Sequence, residues 1–260
     1  MKMKTFTTYS KTQFLFRVVT LISAVFSLYA FSPAIASGQN LITIFDLSGI
    51  SSDDLPKEWT QILPRKQMAY TNYLVKQDSD GAFLHMNSGG TGSLIERDLG
   101  QIELNDSAVM EWTWKVLQLP DVEWEQDKNQ DDFAIRIELV YDLRGSPYNP
   151  LNMVRKGLIQ TIFKGYPPEI IMSYTWSRRV PAEKPYVNPA EKRMVIFPVE
   201  SGPSMSGLWI DESRSIMEDL KPFIKTNRLV LKKVRIRCDS DDSLSKAESA
   251  LRSIVFKNNK

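Results

Sequence analysis

"AVMEWTWKV", residues 108–116, puts Ala108, Met110, Trp112, Trp114 and Val116 on even positions and Glu111, Thr113 and Lys115 on odd ones. A period of two over this length is the pattern of a strand with one buried and one wetted face. Whether the two tryptophans face a second sheet or a ligand decides how the rest of the chain is read.

The same period recurs on both sides. "FAIRIELVY" (133–141) places Phe133, Ile135, Ile137, Leu139 and Tyr141 on one face, with Arg136 and Glu138 on the other. "IIMSYTW" (170–176), "KRMVIFPVE" (192–200) and "GLWIDE" (207–212) are short, rich in β-branched and aromatic residues, and bounded by Pro, Gly or Asn. "VLKKVRIRC" (230–238) aligns Val230, Val234, Ile236 and Cys238, and "RSIVF" (252–256) closes the chain. "TNYLVKQ", "GAFLHMN" and "SLIERDL", between residues 71 and 99, read as an opening meander. Two stretches are helical in pattern: 149–165, with Leu151, Val154, Leu158 and Ile162 on one face, and "SRSIMEDLKPFI" (213–224), with Ile216, Leu220 and Phe223. The sum predicts an all-β fold: a two-sheet antiparallel sandwich with one or two helical insertions.

The first 36 residues stand apart. Lys2, Lys4, Lys11 and Arg17 precede or begin a mostly apolar run from Val18 to Phe31, and Ala34-Ile35-Ala36 follows. That is the three-part pattern of a secretory signal peptide, and the run is short for a membrane span. Residues 37–260 are then expected to form one sandwich domain, in the periplasm or secreted, and not an integral membrane protein. The leader holds four of the 33 basic residues and none of the 31 acidic ones, which leaves 29 basic and 31 acidic groups, net −2. No basic stripe remains for a nucleic-acid partner. A single cysteine rules out an internal disulfide, and a domain of this size can bury enough surface without one.

The order and spacing of "EWTWKV", "DDFAIRIELVYD", "IIMSYTW", "VNPAEKRMVIFPVESG", "LWIDESRSIMEDLKPFI" and "VRIRCDSDDSLSKAESALRSIVF" resemble a family of exported bacterial proteins. It is catalogued as domain of unknown function number three thousand and forty-seven. The resemblance covers residues 41 to 257. It implies a jelly-roll sandwich of the carbohydrate-binding, galactose-binding-like kind, and it brings no activity with it. Two departures stand out. Cys238-Asp239-Ser240-Asp241 replaces the family's Thr-Asp-Thr-Asp, and Arg252-Ser253-Ile254 replaces its Gly-Asp-Ile.

Four aromatics are candidates for ligand binding. Trp112 and Trp114, and Tyr174 and Trp176, each have i, i+2 spacing, so each pair shares one face of a strand. Flat rings stack on the apolar face of a sugar, and equally fill a sandwich core. Tyr174 and Trp176 precede a loop rich in Arg, Pro and Asn, which suits a cleft edge. Asp132 joins them as a polar ligand-binding candidate. With Glu138, which shares its parity, Asp132 is also the alternative catalytic pair of a polysaccharide hydrolase or lyase. As a structural group it would take an Arg or backbone partner at a sheet edge.

The turn "CDSDD" (238–242) offers Asp239, Asp241 and Asp242. No cofactor is expected, and calcium held by these three is the alternative, since clustered carboxylates suit a hard cation. The motif lacks the Gly and the Glu of a dedicated calcium loop. Basic neighbours (Arg235, Arg237 or Arg252) would then supply the compensating charge, with Asp239 pointing outward. Ser245 and Glu248 could cap a helix, but the family resemblance implies the final strand from Ala247 onward, and that is the favoured reading. His85 is read as structural, Cys238 as inert, and "SGGTGS" (88–93) as a flexible hairpin loop. The leading functional expectation is an exported, non-catalytic binding protein for glycan or cell-envelope polysaccharide. The alternatives are the hydrolase or lyase, and an envelope protein-interaction module using a sheet edge.

Overall fold

The computed structural model describes residues 39–50, 54–64, 69–143, 170–224 and 229–259. All its strands lie within the unit Gln39–Lys260. In chain order they are β1 (Gln39–Asp46), β2 (Thr60–Ile62), β3 (Asn72–Asp78), β4 (Gly81–Gly89), β5 (Leu94–Ile102), β6 (Val109–Gln118) and β7 (Arg136–Leu143). There follow β8 (Ile170–Ser177), β9 (Tyr186–Val187), β10 (Met194–Ser201), β11 (Ile210–Ser215), the short helix α1 (Ile216–Leu220), β12 (Leu229–Arg237) and β13 (Lys246–Asn259). The expected helix over 151–164 and the signal-like leader lie outside the described residues.

Two sheets form. One runs β11-β6-β13-β4-β3, and β1 joins it by pairing with β13. The other runs β2-β5-β12-β7-β8-β10-β9. All pairs are antiparallel except β8 with β10, which is parallel. The expected opening meander is therefore split: β3 and β4 form a hairpin, but β5 crosses to the other sheet. The connection is "SGGTGS", and it is not the free hairpin loop expected from its glycines. Ser88 Oγ lies 2.8 Å from Thr91 Oγ1 and 2.7 Å from Ser240 Oγ, and Gly90 N–H donates to Ser240 Oγ at 2.9 Å.

The alternating strands bury their apolar faces against each other. Met110, Trp112, Trp114 and Val116 of β6 meet Ile137, Leu139 and Tyr141 of β7 and Met172, Tyr174 and Trp176 of β8 in one core. The aromatic rings are what joins the sheets. Trp112 packs on Tyr174 with centroids 5.1 Å apart, and Trp114 on Trp176 at 6.0 Å. A second, smaller apolar cluster lies on the outer side of the seven-stranded sheet: Phe133, Ile171, Met194 and Ile196, with Tyr186 against them. It explains why every residue of β8 is buried. It also shows that Phe133 does not share the face of Ile135: the strand begins at Arg136, and the chain before it turns over the outer side.

The stretch read as helical at 213–224 gives only one short turn, with Ile216 and Leu220 buried as the pattern required. The final segment is strand from Lys246, not helix. Among the described residues no helix is long and apolar enough to cross a membrane.

Candidate functional site

The aromatic platform is corrected first. Trp112, Trp114, Tyr174 and Trp176 are all at most 2% exposed. Three of them also hydrogen-bond within the protein. Trp114 Nε1 donates to Glu212, Trp176 Nε1 to the Gly202 carbonyl, and the Tyr174 hydroxyl to Asp219. None of the four presents a ring face to a ligand, because burying these large rings between two sheets is the dominant source of stability available to the sandwich.

The polar parity of the seven-stranded sheet is where side chains gather. Arg235 on β12 is opposite Glu96 on β5 and Glu138 on β7. Its Nε donates to Glu96 Oε2 at 2.7 Å, its Nη1 is 3.8 Å from Glu138, and Lys233 reaches the other Glu96 oxygen at 2.6 Å. One step along, Arg237 is opposite Arg136. Like charges directly across a ladder repel. Here Asp239 lies between them: its Oδ2 accepts from Arg136 Nη2 at 2.8 Å and pairs with Arg237 Nη2, also at 2.8 Å. Asp131 adds a second carboxylate to Arg136 at 3.2 Å. The Arg136 guanidinium stacks on the Phe133 ring, 4.6 Å from its centroid.

Electrostatics follow from this packing. Burial acts to lower the pKa of Arg136, but Asp131, Asp239 and Glu138 outweigh it and hold the guanidinium charged. Burial pushes the Asp239 carboxyl up to about 7, against the pull of Arg136 and Arg237. Asp239 is therefore not the outward-facing group that its parity with Arg235 and Arg237 suggested. It is fully buried. Of the three basic candidates for its partner only Arg237 serves. Arg235 is engaged with Glu96, and Arg252 with Asp78.

Asp132 has a different task from either one expected of it. Its Oδ1 accepts the N–H of Asp242 at 3.2 Å and its Oδ2 the N–H of Ser243 at 2.7 Å. Asp242 returns the bond, accepting the Asp131 N–H at 3.0 Å. Phe133 N–H donates to Asp239 Oδ1, and Asp239 N–H to the Phe133 carbonyl. The "DDF" segment and the "DSDD" turn are thus two halves of one latch. The backbone partner expected of Asp132 is found, but just ahead of the central strand β7 and not at a sheet edge; the proposed pairing with Glu138 across a cleft is not.

Oxygens of Asp132, Asp239 and Asp241 come within 4.8 Å of one another. The donors already present use them: Asp132 holds two backbone N–H groups, Asp239 two guanidiniums, and Asp241 lies 3.5 Å from Arg237. Asp242, the third member of the expected calcium set, faces Asp131 instead. His85 pairs with Glu248 at 2.6 Å, and burial pushes the Cys238 thiol well above its ordinary range.

Beside the latch opens a cleft of about 280 Å³. Its floor is Leu94, Glu138, Ile171, Arg235 and Arg237 on the sheet, and its walls include Lys128, Asp131, Asn188, Glu191, Asp241 and Asp242. Asn188 Nδ2 donates to Asp131 at 3.0 Å while its Oδ1 accepts from the N–H groups of Ala190 and Glu191, so the wall is fixed. Burial, and after it the charges of Asp132, Asp241 and Asp131, raise the Asp242 carboxyl, against the Asp131 N–H that lowers it. Of the residues expected to bind or react, only Glu138 and the turn carboxylates Asp241 and Asp242 line this cleft. Lys128, Asn188 and Glu191 had no signal in the sequence, since they sit on loops without periodicity. Arg235 and Arg237 were legible as the polar parity of β12.

The family described as "Protein of unknown function (DUF3047)" matches residues 57–255. No curated protein matches the chain. Among solved structures, similarity extends to a family 11 carbohydrate-binding module from Clostridium thermocellum in complex with a beta-1,3-1,4-mixed-linked tetrasaccharide. The identity is 6%, 84% of this chain and 96% of that one are covered, and the TM-score is 0.44. The family 11 module of the cellulosomal cellulase Lic26A-Cel5E of the same organism is 8% identical over 86% of this chain and 96% of its own, TM-score 0.42. A xylan-binding module is 11% identical over 85% and 97%, TM-score 0.33.

Proposed function

For this chain, which belongs to the DUF3047 family, we propose non-catalytic binding of a glycan in the cleft on the outer face of the seven-stranded sheet. The observation that carries the reading is the chemistry of the cleft: guanidinium, carboxylate and amide groups set side by side on a rigid sheet floor, with Leu94, Ile171, Ala190 and Met194 between them. Vicinal hydroxyls are each donor and acceptor, and planar side chains such as these can meet two at once. The small apolar residues suit the C–H surface of the same ring. Pre-organisation supports the reading, since cross-strand ion pairs hold the polar groups before a ligand arrives. Asp132, the carboxylate that a hydrolytic pair would have needed with Glu138, is tied to the backbone of the turn.

The signal-like leader leads us to place this binding outside the cytoplasm, in the periplasm or beyond it, with cell-envelope or environmental polysaccharide as the partner.

The test is affinity electrophoresis through gels containing soluble polysaccharides, with wild type and the cleft variants Glu191→Ala and Lys128→Ala. Retention by at least one neutral polysaccharide, reduced in both variants, is expected. Wild-type mobility that no polysaccharide retards would overturn the reading. So would steady release of reducing ends, which would make the chain an enzyme.

A further inference from the structure

All six tryptophans of the chain lie in described residues. Trp59, Trp112, Trp114 and Trp176 are buried, and Trp209 is half-buried, with Lys115 and Arg252 over its ring. Trp124 differs: it is 45% exposed. Its position is fixed. Gln130 Oε1 accepts the N–H groups of Glu123 and Trp124 at 2.6 and 3.0 Å, and Asp127 N–H donates to the Trp124 carbonyl at 3.0 Å. The next residue, Glu125, is fully buried beneath the loop, where Oε1 accepts from Ser177 Oγ and from the N–H groups of Arg178 and Arg179.

Two routes place the backbone of this loop near the cleft. The bond from Asp127 closes a turn over 124–127, which brings the ends of that turn within about 7 Å, so the Cα of Lys128 is within roughly 11 Å of that of Trp124. Lys128 lines the cleft. On the other side, the Tyr186 hydroxyl donates to the Glu125 carbonyl at 3.3 Å, and two residues on from Tyr186 the cleft wall continues with Asn188. Between them Val187 is also 45% exposed. An exposed ring on a braced loop whose backbone lies close to the cleft residue Lys128 offers an apolar surface to a ligand longer than the cleft.

We propose that Trp124 is a second subsite of the same ligand, stacking on a sugar ring beyond the cleft, so that the ligand is an oligosaccharide or polysaccharide chain and not a single sugar. This rests on the glycan reading of the cleft. The experiment titrates full-length mature protein with di- to hexasaccharides of the polymer that retains it, by calorimetry and tryptophan emission, for wild type, Trp124→Ala, Trp124→Phe and Glu191→Ala. Wild-type affinity should rise with chain length and longer chains should shift the emission. Trp124→Ala should cut the hexasaccharide-to-disaccharide affinity ratio by about tenfold and abolish the emission shift, while melting with wild type. Trp124→Phe should restore most of the ratio. If Trp124→Ala keeps the wild-type ratio while Glu191→Ala loses binding, the subsite is overturned and the cleft reading stands. If wild type binds no member of the series, both fall.

Discussion

Asp132 and Ser243 are 111 residues apart, and the Asp132 Oδ2 accepts the Ser243 N–H at 2.7 Å. The carboxylate is nearly fully buried, and its other oxygen accepts the Asp242 N–H. Asp132 thus acts as a two-oxygen cap on the turn that starts the run into β13, and it fixes where Asp241 and Asp242 stand at the cleft. Replacing it by Ala leaves two backbone donors unpaired. Both donors sit on a part-buried turn that water can reach, so the expected loss is about 1–2 kcal/mol, the ordinary net worth of two hydrogen bonds. Urea unfolding checks it: an Asp132→Ala variant as stable as wild type would remove the latch from the account.

The core assignment of the aromatics has its own magnitude. Trp176→Ala should cost about 3–5 kcal/mol, the range for truncating a buried large aromatic. A variant that melts with wild type but no longer binds polysaccharide would restore Trp176 to the ligand site.

Asp239 neutralises the facing arginines Arg136 and Arg237, so removing one partner should strand charge in a buried place. Arg136→Met is expected to cost about 3–5 kcal/mol. The same arrangement predicts how the turn meets calcium. A cation held at 100 times its dissociation constant would add about 2.7 kcal/mol, several degrees in a domain of this size. With the oxygens of Asp132, Asp239 and Asp241 already engaged, thermal scans in calcium and in excess chelator should coincide; a clear rise with calcium would make the three aspartates ligands.

On β11, Glu212 is pushed up to about 7 by burial, then by the charge of Glu200, despite the N–H of Trp114 and the charge of Arg214. A carboxyl whose folded pKa exceeds its unfolded value binds its proton more tightly when folded. Its contribution is fully present below about pH 4.5 and is lost as pH rises through about 7. The melting temperature should therefore fall between pH 5 and pH 8, and Glu212→Gln should flatten that slope. An unchanged slope in the variant would show that Glu212 does not titrate in this window.

A Cβ built on Gly92 would stand 2.3 Å from Asp241 Oδ1. Gly92→Ala must therefore displace that carboxylate, which lines the cleft beside Arg237. Weaker polysaccharide retention with a small change in melting is expected, and equal retention would show that Asp241 has room to yield.

Much of the fold is written in local pattern. The period of two in β6 and β7 fixes which residues face inward, because a strand has only two faces and a buried one must be apolar; in β12 it holds only from Val234 on, since a bulge between Leu231 and Lys233 puts Leu231, and not the expected Val230, into the core with Val234, Ile236 and Cys238. The short helix at Ile216–Leu220 follows from the same kind of reasoning, whereas the strand from Lys246 is implied by the family resemblance, against a local capping-box pattern. What the pattern could not settle is what lies opposite a face. Trp112, Trp114, Tyr174 and Trp176 are equally good on a ligand platform or against another sheet, and the pairing of Trp112 with Tyr174, 62 residues away along the chain, decides it. Likewise "DDF" and "DSDD" each read as a local acidic motif. Their joining is a property of two distant loops brought together, and it converts apparent catalytic or metal-binding carboxylates into caps and counter-ions. The cleft walls Lys128, Asn188 and Glu191, and the exposed ring of Trp124, come from loops. Loop positions carry no periodic constraint, so only the tertiary structure, which sets the ends of those loops over the outer face of the seven-stranded sheet, decides that they form a site at all.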